Sequence, residues 1–271
     1  MGTVYVVEDP ALGRRVALKV IDVPDPGIEA RLRREAQVLA RLEHPGIVPV
    51  HDVGTLADGR AFYTMKWVQG DRLDRYLARE VTLAERLRLF MRIAEPVAFA
   101  HARGILHRDL KPENVMVGPF GEVLILDWGL AKLVADPADG GSSRTTGESA
   151  VLGTPGFMPP EQKSGGSARV DQRADVYSLG AILEWMIGRN PPRALLAICR
   201  KATAASPDGR YADVAGLASD VARFLDGAAV SAHSEGVLQR LVRLGKRHRV
   251  AIGIVAAYVA VRAAILVFTG R

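Results

Sequence analysis

Cysteine is nearly absent: Cys199 stands alone among 271 residues, so no intrachain disulfide can form, which suits a reducing compartment. The N-terminus lacks the basic stretch and following apolar run that mark a secretory leader. No internal repeat is visible. Long apolar runs are missing until residue 250. Acidic excess is missing too: the net charge is +6 and the pI about 9.7. The surplus is concentrated rather than spread, with Arg240, Arg243, Lys246, Arg247 and Arg249 crowded near the C-terminus.

What is present is an ordinary globular composition, 48% hydrophobic and 24% charged, in a chain long enough for one large domain or two modest ones. The opening MGTVYVVEDPALGRRVALKV alternates apolar and polar positions as strands do, and ALGRR predicts a hairpin turn with Gly13 in the left-handed position. The segment IEARLRREAQVLARLEH follows. It predicts a helix whose stripe carries Ile28, Leu32, Leu39 and Leu42, with Glu35 on the same stripe. Residues 1–68 thus predict a strand-rich unit with one helix, and 71–226 a mostly helical one. Within the latter, LAERLRLFMRIAEPVAFAHARG predicts a long amphipathic helix, kinked or crowded at Pro96. Residues 135–150 read as a Gly/Ser/Thr loop, and 227–249 as a linker that turns basic.

Two charges sit where burial is costly. Lys19 shares a strand face with Ala17 and Ile21, and Glu35 lies on an apolar helix stripe. Pairing with each other resolves both, and two solvated charges at element edges remain the alternative. The polar loop HRDLKPEN places Asp109 five residues before Asn114. Asp127 follows the apolar strand VLIL directly. A carboxylate and an amide oxygen near a second carboxylate suit Mg²⁺, which takes a few hard oxygens and keeps water or phosphate besides.

These segments, in this order, resemble the Hanks-type serine/threonine protein kinases of bacteria, membrane-anchored members included. The resemblance implies an α+β, two-lobed fold over 1–226, with a small β-rich N-lobe (1–68) and a helical C-lobe (71–226). It implies ATP and Mg²⁺ as cofactors and protein hydroxyls as acceptors. By that resemblance Lys19 of VALK holds the α- and β-phosphates and Glu35 is its helix partner. Asp109 is the catalytic base, Lys111 touches the transferring phosphate, and Asn114 and Asp127 hold metal. DWG replaces the family's DFG, with Trp128 in place of Phe. Met65 is the gatekeeper, Lys66 to Val68 face adenine, and Gly2, Val4, Ala17 and Met116 line the nucleotide slot. Arg108 would pair with a phosphorylated Thr145 or Thr146, and Thr154 would contact the acceptor. Glu161 pairs with Arg210, and Asp175 braces the catalytic loop.

Two departures from the family pattern stand out. Of the glycine-rich loop G-x-G-x-x-G-x-V only Gly2 and Val4 remain, so the chain is expected to start late, either because translation begins upstream or because the gene is trimmed. In IGRNPPRALLAICRKA, two segments abut that the family separates by a loop and a helix, which predicts uncovered apolar surface on the lower lobe. Both departures keep a membrane-tethered pseudokinase open as the alternative to an active kinase. GTPGFMPPEQ speaks against a small-molecule phosphotransferase, since those enzymes lack that activation-loop closure.

Residues 250–268 are one bilayer crossing long. Arg262 costs roughly 2.5–3.5 kcal/mol on an insertion scale, and Val, Ile, Leu and Phe residues return about 0.3–0.6 each. The basic run before the segment fits anchoring with the kinase domain on the cytoplasmic side of the inner membrane, rather than nucleic-acid binding. Partners expected are therefore the membrane, protein substrates, and a second copy or an intact kinase.

Overall fold

The computed structural model describes residues 2–21, 32, 36, 39–40, 42–128, 156–163, 171–233, 253–254, 257–258 and 261–262. The chain enters on the expected hairpin. Strand β1 (Gly2–Asp9) pairs antiparallel with β2 (Arg14–Ile21), with Asp9 opposite Arg14 and Gly2 opposite Ile21. The turn is closed by chemistry local to it. The Asp9 carboxylate accepts from the backbone N–H groups of Ala11 and Leu12 and from Arg14 Nε, and Gly13 takes φ 59°. Strands β3 (Val50–Thr55) and β4 (Ala61–Lys66) complete a four-stranded sheet in the order β1-β2-β4-β3. β1 is its edge, and Val4, Tyr5 and Val6 are exposed there. One face is covered by helical residues Leu32, Ala36 and Leu39, all buried at the predicted stripe spacing, and by Leu42.

A second sheet of short strands, β5 (Asp71–Arg72), β6 (Val115–Val117) and β7 (Val123–Ile125), joins the lobes. Val48 N–H donates to the Ile125 carbonyl and Ile125 N–H to that of Gly46, so the upper lobe is laced to β7 by backbone bonds. After the one-turn α1 (Leu73–Tyr76), the long α2 (Leu83–His101) opens on a reciprocal cap. Thr82 Oγ accepts from Glu85 N–H, and the Glu85 carboxylate accepts from Thr82 N–H. Its inward stripe is Leu87, Phe90, Ile93, Ala94, Val97 and Ala100. The helix continues through Pro96, which is buried against Gly46. A Cβ on Gly46 would lie 3.0 Å from the proline ring, so the glycine provides the room that the ring occupies.

The short helix α3 (Pro160–Lys163) precedes α4 (Gln172–Ile187), which is capped by Asp171 and buried along most of its length. Then α5 (Arg193–Ala202) and α6 (Val214–Leu225) pack against α4 and α2. A Cβ on Gly180 would meet that of Ala202 at 2.5 Å, so α4 and α5 touch backbone to backbone. The junction that abuts in the sequence is a five-residue turn, with Gly188 and Asn190 at φ 69° and 59°. The apolar surface expected there is small. Trp185, 40% exposed, is the large apolar side chain left open among the described residues of 171–233, while Met186 and Ile187 beside it are buried.

The domain holds on to its chain beyond the linker boundary expected at 227. Val230 is buried, and the Asp220 carboxylate accepts from Tyr211 O–H, Ser231 N–H, Ser231 O–H and Ala232 N–H at 2.7–3.0 Å. No helix among the described residues is long and apolar enough to cross a membrane. Of 250–268 the structure describes Gly253, Ile254, Ala257, Tyr258, Val261 and Arg262, helical and exposed, and the rest of the expected span lies outside the described residues.

Candidate active site

The site sits where the two sheets meet. Lys19 lies on the inner strand β2, only 8% exposed, and its Nζ is 2.6 Å from Asp127 Oδ1. The partner expected from the sequence, Glu35, lies outside the described residues. Asp127 follows β7 in a left-handed conformation at φ 54°. Its Oδ1 also accepts from the O–H of Tyr63, at 3.0 Å. Burial, then the neighbouring Asp127 charge, push the Tyr63 phenol well above its ordinary value, so it remains a protonated donor.

Below this pair runs the loop His107–Asn114, held from behind. Asp175, buried in the first turn of α4, accepts from the backbone N–H groups of His107 and Arg108, both at 2.8 Å, and lies 2.7 Å from His101 Nε2. Arg108 takes φ 66°. His107 is fully buried, its ring tilted against that of Trp128. Its Nδ1 accepts from Asp109 N–H, so Nε2 carries the proton and donates to the Leu126 carbonyl at 2.9 Å. Burial pushes this imidazole below its usual value, which agrees with a neutral ring. The loop therefore presents Asp109 on a scaffold fixed by one carboxylate and one neutral histidine.

Asp109 Oδ2 lies 3.2 Å from Lys111 Nζ, and Asn114 Nδ2 donates to the Asp109 carbonyl at 2.8 Å. Asn114 ends the tight turn Pro112–Asn114, and its carbonyl accepts from Leu126 N–H at 2.8 Å. Val115 pairs with Ile125 in the next register position, so Asn114 and Asp127 flank one strand pair. With Nδ2 committed to Asp109, the amide oxygen of Asn114 is the donor atom left for a cation. That oxygen and the Asp127 carboxylate fit Mg²⁺. Among the described residues no cluster of three or more His, Cys, Asp or Glu side chains forms a cage, so such an ion would take its remaining ligands from phosphate and water.

The predicted slot residues line up above. Ala17 and Met65 are buried and directly opposed in the sheet, and Val4 opposes Lys19. Val68 follows β4 half-buried, Met116 is half-buried on β6, and Gly2 is exposed opposite Ile21. Farther down, Arg210 forks both carboxylate oxygens of Glu161 at 2.7 and 2.8 Å. Thr145, Thr146 and Thr154 lie outside the described residues. Sequence reasoning missed Tyr63 and His101. The first carried a signal: a hydroxyl-bearing side chain at an inward position of β4, opposite Lys19. His101 carried none, because it reads as a helix-terminal cation.

The buried acids and His107 set a pH dependence. Burial alone would raise Asp175. The hydrogen bonds from His101 and from the His107 backbone N–H outweigh it and hold its carboxyl below the usual value. Glu161 is likewise raised by burial but lowered overall by Arg210. Acids with depressed folded values contribute stability above their unfolded pKa, about 4, and lose it as pH falls through the folded one. A histidine kept neutral costs stability once pH drops below its unfolded value, about 6.5. The melting temperature is thus expected to drift down below about pH 6.5 and fall steeply below about pH 4. A melting temperature flat to about pH 3 would contradict these assignments.

A strand lysine paired with Asp127, two oxygen donors flanking one strand pair and a loop aspartate beside them bring the expected site residues together. The model of the protein kinase domain matches residues 1–204, and the chain belongs to that family. Similar proteins include serine/threonine-protein kinase PknD of Protochlamydia amoebophila, 32% identical over 287 positions, covering 84% of this chain and 29% of the relative. PknD of Chlamydia felis is 34% identical over 283 positions, covering 84% and 30%. The crystal structure of the Mycobacterium tuberculosis PknI kinase domain superposes with a TM-score of 0.63 at 28% identity, covering 82% of this chain and 90% of that one. The chain spans less than a third of the length of these PknD relatives. The alignment to the Protochlamydia protein is longer than the chain itself, so that relative carries residues with no counterpart here.

Proposed function

We propose that the chain is a serine/threonine protein kinase that transfers the γ-phosphate of ATP to protein hydroxyls. The observation that carries this reading is the loop held by Asp175, which fixes Asp109 and Asn114 beside the Lys19–Asp127 pair. Ala17, Met65, Val68, Met116 and Val4 form the purine slot, with Gly2 at its open end. Lys19 turns from Asp127 to the α- and β-phosphates when nucleotide enters, with Glu35 as its ion-pair partner. Asn114 and Asp127 would hold Mg²⁺, which would neutralise charge on the phosphate oxygens. Asp109 orients the acceptor hydroxyl and takes its proton, while Lys111, 3.2 Å from Asp109, meets the charge that the transfer develops. The Glu161–Arg210 fork secures the segment after Thr154, on which the acceptor rests.

Regulation and placement complete the reading. Phosphate on Thr145 or Thr146 would pair with Arg108 and order the loop between. Residues 250–268 would anchor the chain in the inner membrane with the kinase domain on the cytoplasmic side. What supports this is the sequence, a basic run directly before an apolar stretch of one bilayer length. Incubation of the full chain with radiolabelled ATP, Mg²⁺ and a generic basic protein, followed by phosphoamino-acid analysis, tests the assignment. Label on serine and threonine is expected. Label on tyrosine alone, or none, would overturn it.

A further inference from the structure

Strand β4 buries Ala61, Tyr63 and Met65 on its inward face, and Tyr63 alone of the three carries a hydroxyl. The side chain is 1% exposed and fixed on both sides, opposite Lys19 of β2 and Val53 of β3. From that interior position its O–H reaches Asp127 Oδ1, the oxygen that Lys19 also engages. Oδ2 takes part in neither contact.

We propose that Tyr63 is a positioning residue for the metal-binding carboxylate, holding Asp127 in place when Lys19 leaves it for the nucleotide phosphates. The inference rests on the Mg²⁺–nucleotide reading given above. Asp127 needs such an anchor. Its φ of 54° lies in the left-handed region, which aspartate visits more readily than most side chains but which is still a minority conformation, so contacts of the side chain help to keep it there. Lys19 is a flexible tether that has a second task in the cycle. Tyr63 is rigid, sits in the middle of a sheet and has no competing task. A neutral phenol also differs from an ammonium in its effect. It fixes one carboxylate oxygen without cancelling the charge that binds the cation, and it leaves Oδ2 for the metal. A phenol that merely used the nearest acceptor to satisfy its buried O–H would have no effect on metal binding.

The test compares the full chain with Tyr63→Phe, which keeps the ring and removes the donor. Binding of a fluorescent ADP analogue is titrated with MgCl₂, and melting is recorded without ligand. The variant is expected to need roughly tenfold more Mg²⁺ for half-maximal binding, the size of losing a hydrogen bond to a charged group. Its affinity for the analogue without Mg²⁺ should match that of the wild type, and its ligand-free melting temperature should stay within a few degrees. Equal Mg²⁺ midpoints for the two proteins would overturn the inference, whatever their melting temperatures. A wild-type chain whose binding is indifferent to Mg²⁺ would overturn the site assignment and this inference together.

Discussion

Replacing Asp109 with asparagine is expected to lower the proposed phosphoryl transfer by about 10²–10⁴-fold, the usual contribution of a positioned general base, and to leave the fold intact. The separation of the two effects follows from how the residue is held. Its backbone does the anchoring: the carbonyl accepts from Asn114 Nδ2 at 2.8 Å, and the N–H donates to His107 Nδ1 at 3.3 Å. Its side chain meets Lys111 and, at 3.4 Å, Asn114, contacts that an amide can replace in part. Initial rates at saturating ATP, measured beside thermal melting, check both halves. A variant less than tenfold slower than wild type would remove Asp109 from the base role.

The largest stability loss is expected at Arg210, whose guanidinium is fully enclosed. It donates to both Glu161 oxygens and to the carbonyls of Arg173, Ala204 and Ala205, and it stacks 4.9 Å from the Tyr177 ring centroid. Arg210→Met leaves a carboxylate and three carbonyls without their donor, at a cost of about 3–5 kcal/mol. For a domain of this size that corresponds to a melting temperature roughly 6–20 °C lower. Combining Arg210→Met with Glu161→Leu should recover part of the loss, because the carboxylate that lost its guanidinium is gone too. A single variant melting within 2 °C of wild type, a limit set by about 1 kcal/mol, would mean that the pair holds nothing together.

The sequence made some of this legible and left the rest to tertiary context. The β1–β2 hairpin was readable because Asp9, Gly13 and Arg14 close it locally. The helix stripe was readable because Leu32, Leu39 and Leu42 face one core. The catalytic loop and its brace were readable through motif resemblance, and the structure places Asp175 on the two backbone N–H groups. The contact of Lys19 with Asp127 was not readable. The two residues are far apart in the chain, and each had been given a different task. Pro96 read as a kink or a crowded point, and the sequence does not reveal that Gly46 lies across from its ring. The stretch from Gly227 read as a linker because Gly, Ala and Ser look alike in a tether and in a docked segment. Three hydrogen bonds from Ser231 and Ala232 to Asp220 decide which it is up to that point.

The most direct test of the central claim is the intact mass of the purified chain after incubation with Mg²⁺ and ATP, beside Asp109→Asn treated alike. The account predicts added phosphate on the wild type, with Thr145 and Thr146 among the modified positions, and none on the variant. An unchanged wild-type mass, in a chain that still binds nucleotide, would contradict phosphoryl transfer and leave a nucleotide-binding pseudokinase in its place.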